Sequence, residues 1–197
     1  MQTSTKTSDE IGSLVDACAP QWAILGRHIE TPASYHEGVA VLACKLGRGL
    51  FAARPFAAGE SVMWFTGKII DFATVFARGM AAAGNPLQVD ADRYIDVELH
   101  GLYVNHSCEP NVGLRDSHRL VALRPIAVNE EICMDYSTEM LERCWTMACR
   151  CGAAQCRGKI VDFDLLPAAV QAERLRLGIV QPFIVRQLAA QPNLSER

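Results

Sequence analysis

Apolar and polar residues follow one another in short runs along the first two thirds of the chain, which predicts strands rather than long helices. Glycine, proline and asparagine lie between most of these runs, as expected at turns. The predicted strands are VAVLAC (39–44), LFAARP (50–55), SVMWFT (61–66), YIDVEL (94–99), LVALRP (120–125) and EICMDY (131–136). The chain is therefore expected to be rich in β-structure up to about residue 140.

Three segments have the pattern of a helix. The first begins after Asp71, a favourable N-cap, and continues through FATVFARGMAAA to the Gly-Asn-Pro of residues 84–86. The second begins at Pro167, a residue type favoured in the first turn, and ends at Gly178. The third covers PFIVRQLAAQ, residues 182–191. Two of the three lie near the end of the chain, which predicts a helical tail.

Composition narrows the classes of partner. The 197 residues carry a formal net charge of −3, so the chain lacks the basic excess typical of a direct nucleic-acid binder. The polar start MQTSTKTSDE lacks the apolar centre of a signal peptide, and no apolar run approaches the roughly 20 residues of a membrane span. These features predict a cytoplasmic protein without a nucleic-acid or membrane partner.

The segment CRCGAAQCRG contains three cysteines within eight positions. Disulfides are rare in the cytoplasm, so metal binding is the favoured explanation. A closed structural zinc site takes four ligands in tetrahedral geometry, which leaves one to be found. Cys108, in the polar loop YVNHSCEPN, and Cys144, just before the cysteine-rich segment, are both candidates, and their spacing does not choose between them.

Four motifs together resemble the SET-domain lysine methyltransferases with a post-SET zinc segment. In chain order they are LGRGLFA (46–52), NHSCEPN (105–111), EEICMDY (130–136) and CRCGAAQCRG (149–158). The resemblance covers about residues 38–158. It implies a β-rich α+β fold of the SET (β-clip) type, with short-strand sheets and a pseudoknot. It also implies S-adenosylmethionine as methyl donor and a lysine ε-amine as acceptor.

The same resemblance divides the chain into four parts and completes the metal site. The parts are an N-terminal flank (1–37), a SET domain (38–140), a post-SET zinc segment (141–158) and a helical C-terminal tail (159–197). In the family, the cysteine of NHSC joins three post-SET cysteines on one structural zinc ion. The implied ligands are therefore Cys108, Cys149, Cys151 and Cys156.

Roles in binding and catalysis follow from the matching positions. The resemblance implies cofactor contacts at Gly47, Arg48, Gly49, Leu50, Tyr94, Asn105, His106 and Tyr136. It implies a lysine channel lined by Phe65, Tyr103, Met134 and Tyr136. Methyl transfer to an amine needs a neutral amine in line with the methyl group, and a tyrosine hydroxyl can orient it. Tyr136, the tyrosine of ExxxDY, is the expected catalytic residue.

Two positions depart from the family pattern. Phe65 stands where a tyrosine is common, and Met134 stands where the family carries phenylalanine or tyrosine. Neither side chain can hold a water molecule by a strong hydrogen bond. If they line the channel rather than simply fill the core, they favour a di- or trimethylated product.

The substrate stays open at this point. A protein lysine is favoured, but free lysine or another small amine is an alternative within the same chemistry. A zinc-stapled module that binds a peptide without turnover is a third hypothesis. The sequence gives no indication of an oligomeric state.

Overall fold

Short antiparallel strands dominate the architecture, as the β-rich prediction requires. The computed structural model describes residues 28–29, 38–79 and 85–190. The strands are β1 His28–Ile29, β2 Val39–Cys44, β3 Gly47–Ala52, β4 Ser61–Trp64, β5 Gly67–Ile70, β6 Leu87–Asp90, β7 Arg93–Val97, β8 Asn105–His106, β9 Val112–Arg115, β10 Arg119–Ala122, β11 Cys133–Met134, β12 Met147–Ala148 and β13 Lys159–Ile160. The helices are α1 Phe72–Ala77, α2 Ala168–Leu177 and α3 Pro182–Ala190, with 3₁₀ turns at Leu99–Tyr103, Tyr136–Glu139 and Phe163–Leu165.

Several small sheets build the domain. One has the order β1-β5-β7-β6 and another the order β4-β10-β9, and both are antiparallel. β2 and β3 form a hairpin, and β12 and β13 form a second hairpin around the cysteine-rich loop. Parallel pairing occurs between β8 and β11, where Cys133 faces Asn105 and Met134 faces His106. This pair brings the NHSCEPN and EEICMDY motifs side by side.

The strand that precedes Tyr136 runs between two other parts of the chain. On one side, Ile132 donates its backbone N–H to Leu50 O at 2.7 Å. On the other side, Ser107 donates its backbone N–H to Met134 O at 2.8 Å. The segment is thus hydrogen-bonded to the β2–β3 hairpin and to the NHSCEPN loop at once, which fixes the position of Tyr136.

Two apolar clusters support this arrangement. The main core joins the hairpin and both larger sheets, and its fully buried members include Leu50, Ile95, Leu120, Ile132 and Met134. The C-terminal region has a separate core made of Phe163, Leu166, Val180, Phe183 and Ile184. Burial of such side chains contributes about 1.5–3 kcal/mol each. The tail therefore folds as a packed unit.

Most predicted elements are present with shifted ends. The strand at 39–44 and the two C-terminal helices lie where the pattern placed them. Asp71 caps α1 by accepting the Thr74 N–H at 2.8 Å, and the helix ends at Ala77, whereas part of the predicted continuation lies outside the described residues. The strand predicted at 131–136 is reduced to two residues, because a 3₁₀ turn begins at Tyr136.

Candidate active site and metal centre

Tyr136 begins the 3₁₀ turn that follows β11. The Asp135 side chain caps this turn by accepting the Ser137 N–H at 3.3 Å. The Tyr136 hydroxyl donates to Val104 O at 2.7 Å, and its ring packs edge-on against His106 at 5.3 Å between centroids. Burial, together with the Glu139 carboxyl, raises the pKa of Tyr136 further above its ordinary value. The phenol is therefore protonated, and its oxygen keeps lone pairs free to accept.

A narrow cavity of about 60 Å³ opens beside Tyr136. Three of the four predicted channel residues line it, namely Phe65, Met134 and Tyr136. The remaining lining residues are Asn85, Leu87, Val97, Gly101, Leu102, Val104 and Glu139. Such a volume suits the end of an alkylamine or one or two water molecules. A larger surface hollow of about 260 Å³, lined by Arg115, Arg119 and Leu177 among others, contains none of the predicted site residues.

Tyr103, the fourth predicted channel residue, is not among those that line this cavity. Its ring lies under the Arg48 guanidinium, 4.8 Å from the centroid, and Arg48 also donates to its hydroxyl at 3.4 Å. The Arg48–Tyr103 contact ties the β2–β3 turn to the 3₁₀ turn before β8. A role for Tyr103 in the channel stays a prediction.

Glu139 is a cavity residue that the sequence analysis missed. It lies three residues after Tyr136, and side chains three apart in a 3₁₀ turn point the same way. Its Oε2 atom is closed off from solvent and has no hydrogen-bond partner among the residues that the structure describes. Burial, and the nearby Glu142 carboxylate, raise the pKa of Glu139 well above its ordinary value. The signal was invisible in the sequence because residues 131–136 were assigned to a strand and nothing predicted a 3₁₀ turn after it.

The predicted cofactor turn is held by side chains from two other motifs. Asn105 donates its side-chain amide to Arg48 O at 3.1 Å and to Glu131 Oε1 at 2.8 Å. Gly49 packs so tightly here that a Cβ atom would lie 2.4 Å from Glu131 Oε1. Gly47, by contrast, has φ +110°, and a Cβ atom there would meet no atom of the described part of the chain within 4 Å. The side chain of Glu131 thus leaves no room for a residue larger than glycine at position 49, whereas the described residues leave space for a ligand beside Gly47.

The other predicted cofactor contacts are divided between two places. Leu50 is fully buried in the main core, so only its backbone can face a ligand. Tyr94 lies in a different cluster, with Ile70 and Val75, and its ring is 6.3 Å from that of Phe72. The structure brings Asn105 and His106 to the 47–50 turn and Tyr136 but places Tyr94 in that separate cluster. Its cofactor role stays a prediction.

Four potential metal ligands converge beside His106. One ligand atom from each of His106, Cys108, Cys149 and Cys151 lies within 4.8 Å of the others. Cys108 Sγ and Cys149 Sγ are 3.8 Å apart, although 41 positions separate them in the chain. The NHSC cysteine and the first two cysteines of the cysteine-rich segment therefore form one cluster with His106, which is compatible with zinc binding.

His106 is better suited to support this cluster than to bind a metal. Its Nδ1 accepts the Tyr136 backbone N–H at 3.2 Å, so that nitrogen carries no proton. A neutral imidazole carries one proton on its two nitrogens, so a ring without a proton at Nδ1 carries it at Nε2. Nε2 lies 3.4 Å from Cys108 Sγ and donates to it. The lone pair that a metal would need is thus absent, and His106 instead links the sulfur of Cys108 to the backbone of Tyr136.

Cys156 and Cys144 differ in their relation to the cluster. The Cys156 thiol influences the pKa of Cys149 and Cys151, but it is not one of the four residues whose ligand atoms lie within 4.8 Å of one another. It accepts the Gly158 N–H at 3.5 Å. Cys144 is exposed and donates instead to Glu142 O at 3.2 Å. A metal-binding role for Cys156 stays a prediction, whereas Cys144 belongs to the loop before β12.

The electrostatics of the cluster favour a thiolate at Cys151, whereas burial raises the pKa of the Cys108 and Cys149 thiols. Burial opposes ionisation of Cys151, but hydrogen bonds from the backbone of Cys108 and Ala153 and from neighbouring thiols outweigh it and lower the pKa of Cys151 to about 7. Arg157 donates its backbone N–H to Cys108 Sγ at 3.4 Å. Because the thiolate is the form that binds metals, these donors fit the cluster to a cation such as Zn²⁺.

Arg157 and Arg174 are two further residues that the sequence analysis missed. Both pair with Asp135, which is fully buried between them. Arg174, from α2, also donates to Cys108 O at 2.7 Å. Arg157 lies within the motif CRCGAAQCRG, but only its cysteines were given a role, and Arg174 in the helical tail has the pattern of an ordinary surface residue. Only the fold brings them to the carboxylate that precedes Tyr136.

Comparison with known families agrees with this geometry. Residues 47–137 match the family described as "SET domain". These residues form a SET domain. The matched range begins at the Gly47 turn and ends just after Tyr136, so it contains the cavity-lining Phe65 and Met134, the NHSCEPN loop and the first of the clustered cysteines. Cys149, Cys151 and Cys156 lie after the end of the matched range.

Curated relatives of the SET domain are named as histone-lysine methyltransferases. The chain is 32% identical to histone-lysine N-methyltransferase 2B of Homo sapiens over 66% of its length, and 33% identical to histone-lysine N-methyltransferase ATX2 of Arabidopsis thaliana over 60%. It is 32% identical to histone H3-lysine(4) N-trimethyltransferase ATX1 of Arabidopsis thaliana over 60%. The similarity covers 5%, 12% and 12% of those proteins, respectively.

Helices long and apolar enough to cross a membrane are absent from the described residues.

Proposed function

We propose that this chain is a lysine N-methyltransferase that transfers methyl groups from S-adenosylmethionine to the ε-amine of a protein lysine. The observation that carries the proposal is the cavity in the SET domain, where Phe65, Met134 and the protonated Tyr136 surround a space for an alkylamine. The names of the relatives support the same reaction and a histone as the first substrate to test. The domain limits given above, with a SET domain at 38–140 and a post-SET segment at 141–158, are part of this proposal.

Tyr136 is the proposed catalytic residue. Because its hydroxyl proton is used by Val104 O, the phenol oxygen meets the substrate as a hydrogen-bond acceptor. It can accept an N–H from the amine and so aim the nitrogen lone pair, and its partial negative charge supports the positive charge that passes from donor to amine. The apolar walls at Phe65 and Met134 exclude water that would otherwise solvate the amine.

Residues of the β2–β3 turn, the NHSCEPN loop and the post-SET segment fit the proposed cofactor. Gly47 offers open space, and the cations Lys45 and Arg48 suit a carboxylate. A Cβ on Gly152, in the cysteine-rich loop, would lie 3.9 Å from Lys45 Nζ, so the two sides of this groove approach each other. S-adenosylmethionine supplies an electrophilic methyl group when bound.

One structural zinc ion is proposed on Cys108, Cys149, Cys151 and Cys156. Three of these sulfurs lie in the four-residue cluster, and the fourth, that of Cys156, influences the pKa of Cys149 and Cys151 from the same loop. The N–H donors from His106, Arg157 and Gly158 would then support thiolate ligands. Structural zinc contributes on the order of 10 kcal/mol to folding, enough to fix the post-SET loop as a wall of the site.

We expect the product to carry two or three methyl groups. Phe65 and Met134 both line the cavity and bring no phenol that could hold a water molecule beside the amine. A name that includes "N-trimethyltransferase" among the relatives is in line with this expectation. The cavity is less apolar than the sequence analysis expected, however, since Glu139 also lines it.

The reaction is tested by incubating the full chain with S-adenosylmethionine labelled in its methyl group. Recombinant histones, a cell lysate and free lysine serve as three separate acceptors. We expect label in lysine residues of a protein, identified by mass spectrometry of the digested product. Transfer to free lysine alone would mean that the substrate is a small amine rather than a protein. Binding of a lysine peptide without any transfer would support the non-catalytic alternative.

A further inference from the structure

Glu139 places a buried carboxyl oxygen without a partner at the wall of the proposed lysine channel. The 3₁₀ turn Tyr136–Glu139 presents both of its end residues to the same cavity, together with Phe65 and Met134. Glu139 Oε2 is enclosed and makes no hydrogen bond to any residue within 28–29, 38–79 or 85–190. Leaving a buried polar group unpaired costs about 1–3 kcal/mol, so such a group in a cavity points to a missing ligand.

The chemistry of this oxygen fits a cationic amine. A lysine ε-amine reaches the enzyme as an ammonium ion, because its ordinary pKa is about 10.4. Nitrogen can attack a methyl group only after it has lost that proton. An enclosed, mostly apolar cavity favours the uncharged pair of a carboxylic acid and an amine over the ion pair. Among the described residues that line the cavity, Glu139 is the one carboxylate, since the other side chains are apolar apart from Asn85 and the Tyr136 phenol.

Resting on the proposed methyl transfer, we propose that Glu139 binds the substrate ammonium through Oε2 and accepts one of its protons. In this step an N–H bond breaks and an O–H bond forms, while the electron pair stays on nitrogen. The products are a neutral amine and a neutral carboxylic acid, so atoms and charge balance without another reactant. Tyr136 then orients an amine that is ready to react, and Glu139 provides the polar contact that Phe65 and Met134 lack.

The charges around Glu139 agree with a proton-accepting role. Burial raises the pKa of Glu139, and the neighbouring Glu142 carboxylate adds to the effect. The Tyr136 phenol, on the same turn, is neutral. The Tyr136–Glu139 turn contacts β6 and the Phe163–Leu165 turn, whose acidic residues are Asp90, paired with Arg186, and Asp164, paired with Arg143. A carboxyl with a raised pKa is a better proton acceptor for an ammonium ion once it has ionised.

The first test measures amine binding without any methyl transfer. The probe is n-butylamine, which has the length of a lysine side chain, and the signal is the methyl resonance of Met134 in protein labelled at its methionine methyl groups. We expect saturable binding to the unaltered chain that strengthens as the pH rises through the raised pKa of Glu139, because the carboxyl must ionise to hold an ammonium ion. Glu139→Gln should weaken binding at least tenfold and remove the pH dependence.

The second test measures turnover with a lysine-containing histone peptide. Glu139→Gln should lower kcat/KM at least tenfold near pH 7, and the deficit should shrink as pH rises, because solution then supplies neutral amine. Glu60→Gln is the matched control, since it also removes one carboxylate but at a surface pair with Arg54, and it should behave like the unaltered chain.

The outcomes separate this proposal from the reaction itself. If the unaltered chain binds n-butylamine in the expected way but transfers no methyl group to any acceptor, the methyltransferase proposal fails and the amine site at Glu139 stands. If Glu139→Gln binds n-butylamine as well as the unaltered chain does, or if neither binds it, the role of Glu139 is overturned even in an active enzyme. A thermal melt that shows both chains folded excludes loss of structure as the cause.

Discussion

Arg157 donates two hydrogen bonds from its guanidinium group to Asp135, at 2.6 Å to Oδ1 and 2.9 Å to Oδ2. Asp135 directly precedes Tyr136, and Arg157 directly follows Cys156. Arg174 completes the arrangement by donating to Asp135 Oδ2 at 3.1 Å from helix α2. One buried carboxylate therefore joins the active-site turn, the cysteine-rich loop and the helical tail.

Asp135→Asn is expected to destabilise the protein by about 3 kcal/mol, because it leaves two arginines without their buried carboxylate. Urea unfolding of the full chain measures this cost. Asp116→Asn is the matched control, since Asp116 pairs with Arg119 at the surface, where its side chain is 42% exposed. That change should cost less than about 1 kcal/mol. Equal costs for the two variants would mean that the Asp135 pairs are not a structural centre.

Zinc content tests the proposed ligand set. Elemental analysis of the purified chain should find one zinc ion, and the ion should be lost or reduced in Cys108→Ser and in Cys156→Ser. Cys144→Ser should retain it, because the Cys144 thiol bonds to Glu142 O outside the cluster. His106→Gln should also retain it, because His106 donates to Cys108 rather than binding the metal. If His106→Gln lost the zinc ion and Cys156→Ser kept it, the fourth ligand would be His106 rather than Cys156.

The cysteine site was predictable from the sequence only in part. Spacing alone left Cys108 and Cys144 open, and the family resemblance favoured Cys108, which the fold brings 3.8 Å from Cys149. The neighbours that set the chemistry of this site were not predictable in the same way. Arg157 and Arg174 act through contacts over 22 and 39 positions of sequence, and no local pattern encodes such distances.

Removing zinc is expected to weaken cofactor binding. Gly152 in the cysteine-rich loop lies beside Lys45 at the turn before Gly47, so the loop forms one side of the proposed cofactor groove. After treatment with a strong chelator, calorimetry should show at least a tenfold loss of affinity for S-adenosylmethionine, while circular dichroism shows that the SET domain stays folded. An unchanged affinity in the folded, zinc-free chain would exclude the loop from the site.

Met134→Tyr is expected to shift the product towards monomethyl-lysine. Met134 is 2% exposed and lines the cavity, so a phenol there could hold a water molecule in the space that a second methyl group needs. Mass spectrometry at long reaction times gives the product distribution. The unaltered chain should yield di- or trimethyl-lysine, and an unaltered chain that stops at monomethyl-lysine would contradict the account of Phe65 and Met134.

The channel was only partly predictable for a physical reason. Phe65, Met134 and Tyr136 were identified because each occupies a motif position, and the structure brings all three to one cavity. Glu139 was missed because its orientation depends on three residues per turn, whereas the preceding residues have the period of a strand. Tyr103 was assigned to the channel by resemblance, but its ring lies under Arg48 instead of along this cavity.

The most direct test of the central claim compares Tyr136→Phe with Tyr103→Phe in methyl transfer to a histone peptide. The account predicts that Tyr136→Phe lowers kcat about a hundredfold or more while the affinity for S-adenosylmethionine stays within a few-fold, because the lost hydroxyl acts on the transition state. Tyr103→Phe should lower kcat less than tenfold, since it removes only the 3.4 Å bond from Arg48. A Tyr136→Phe chain with full turnover, or a larger loss in Tyr103→Phe, would contradict the assignment of Tyr136 as the catalytic residue.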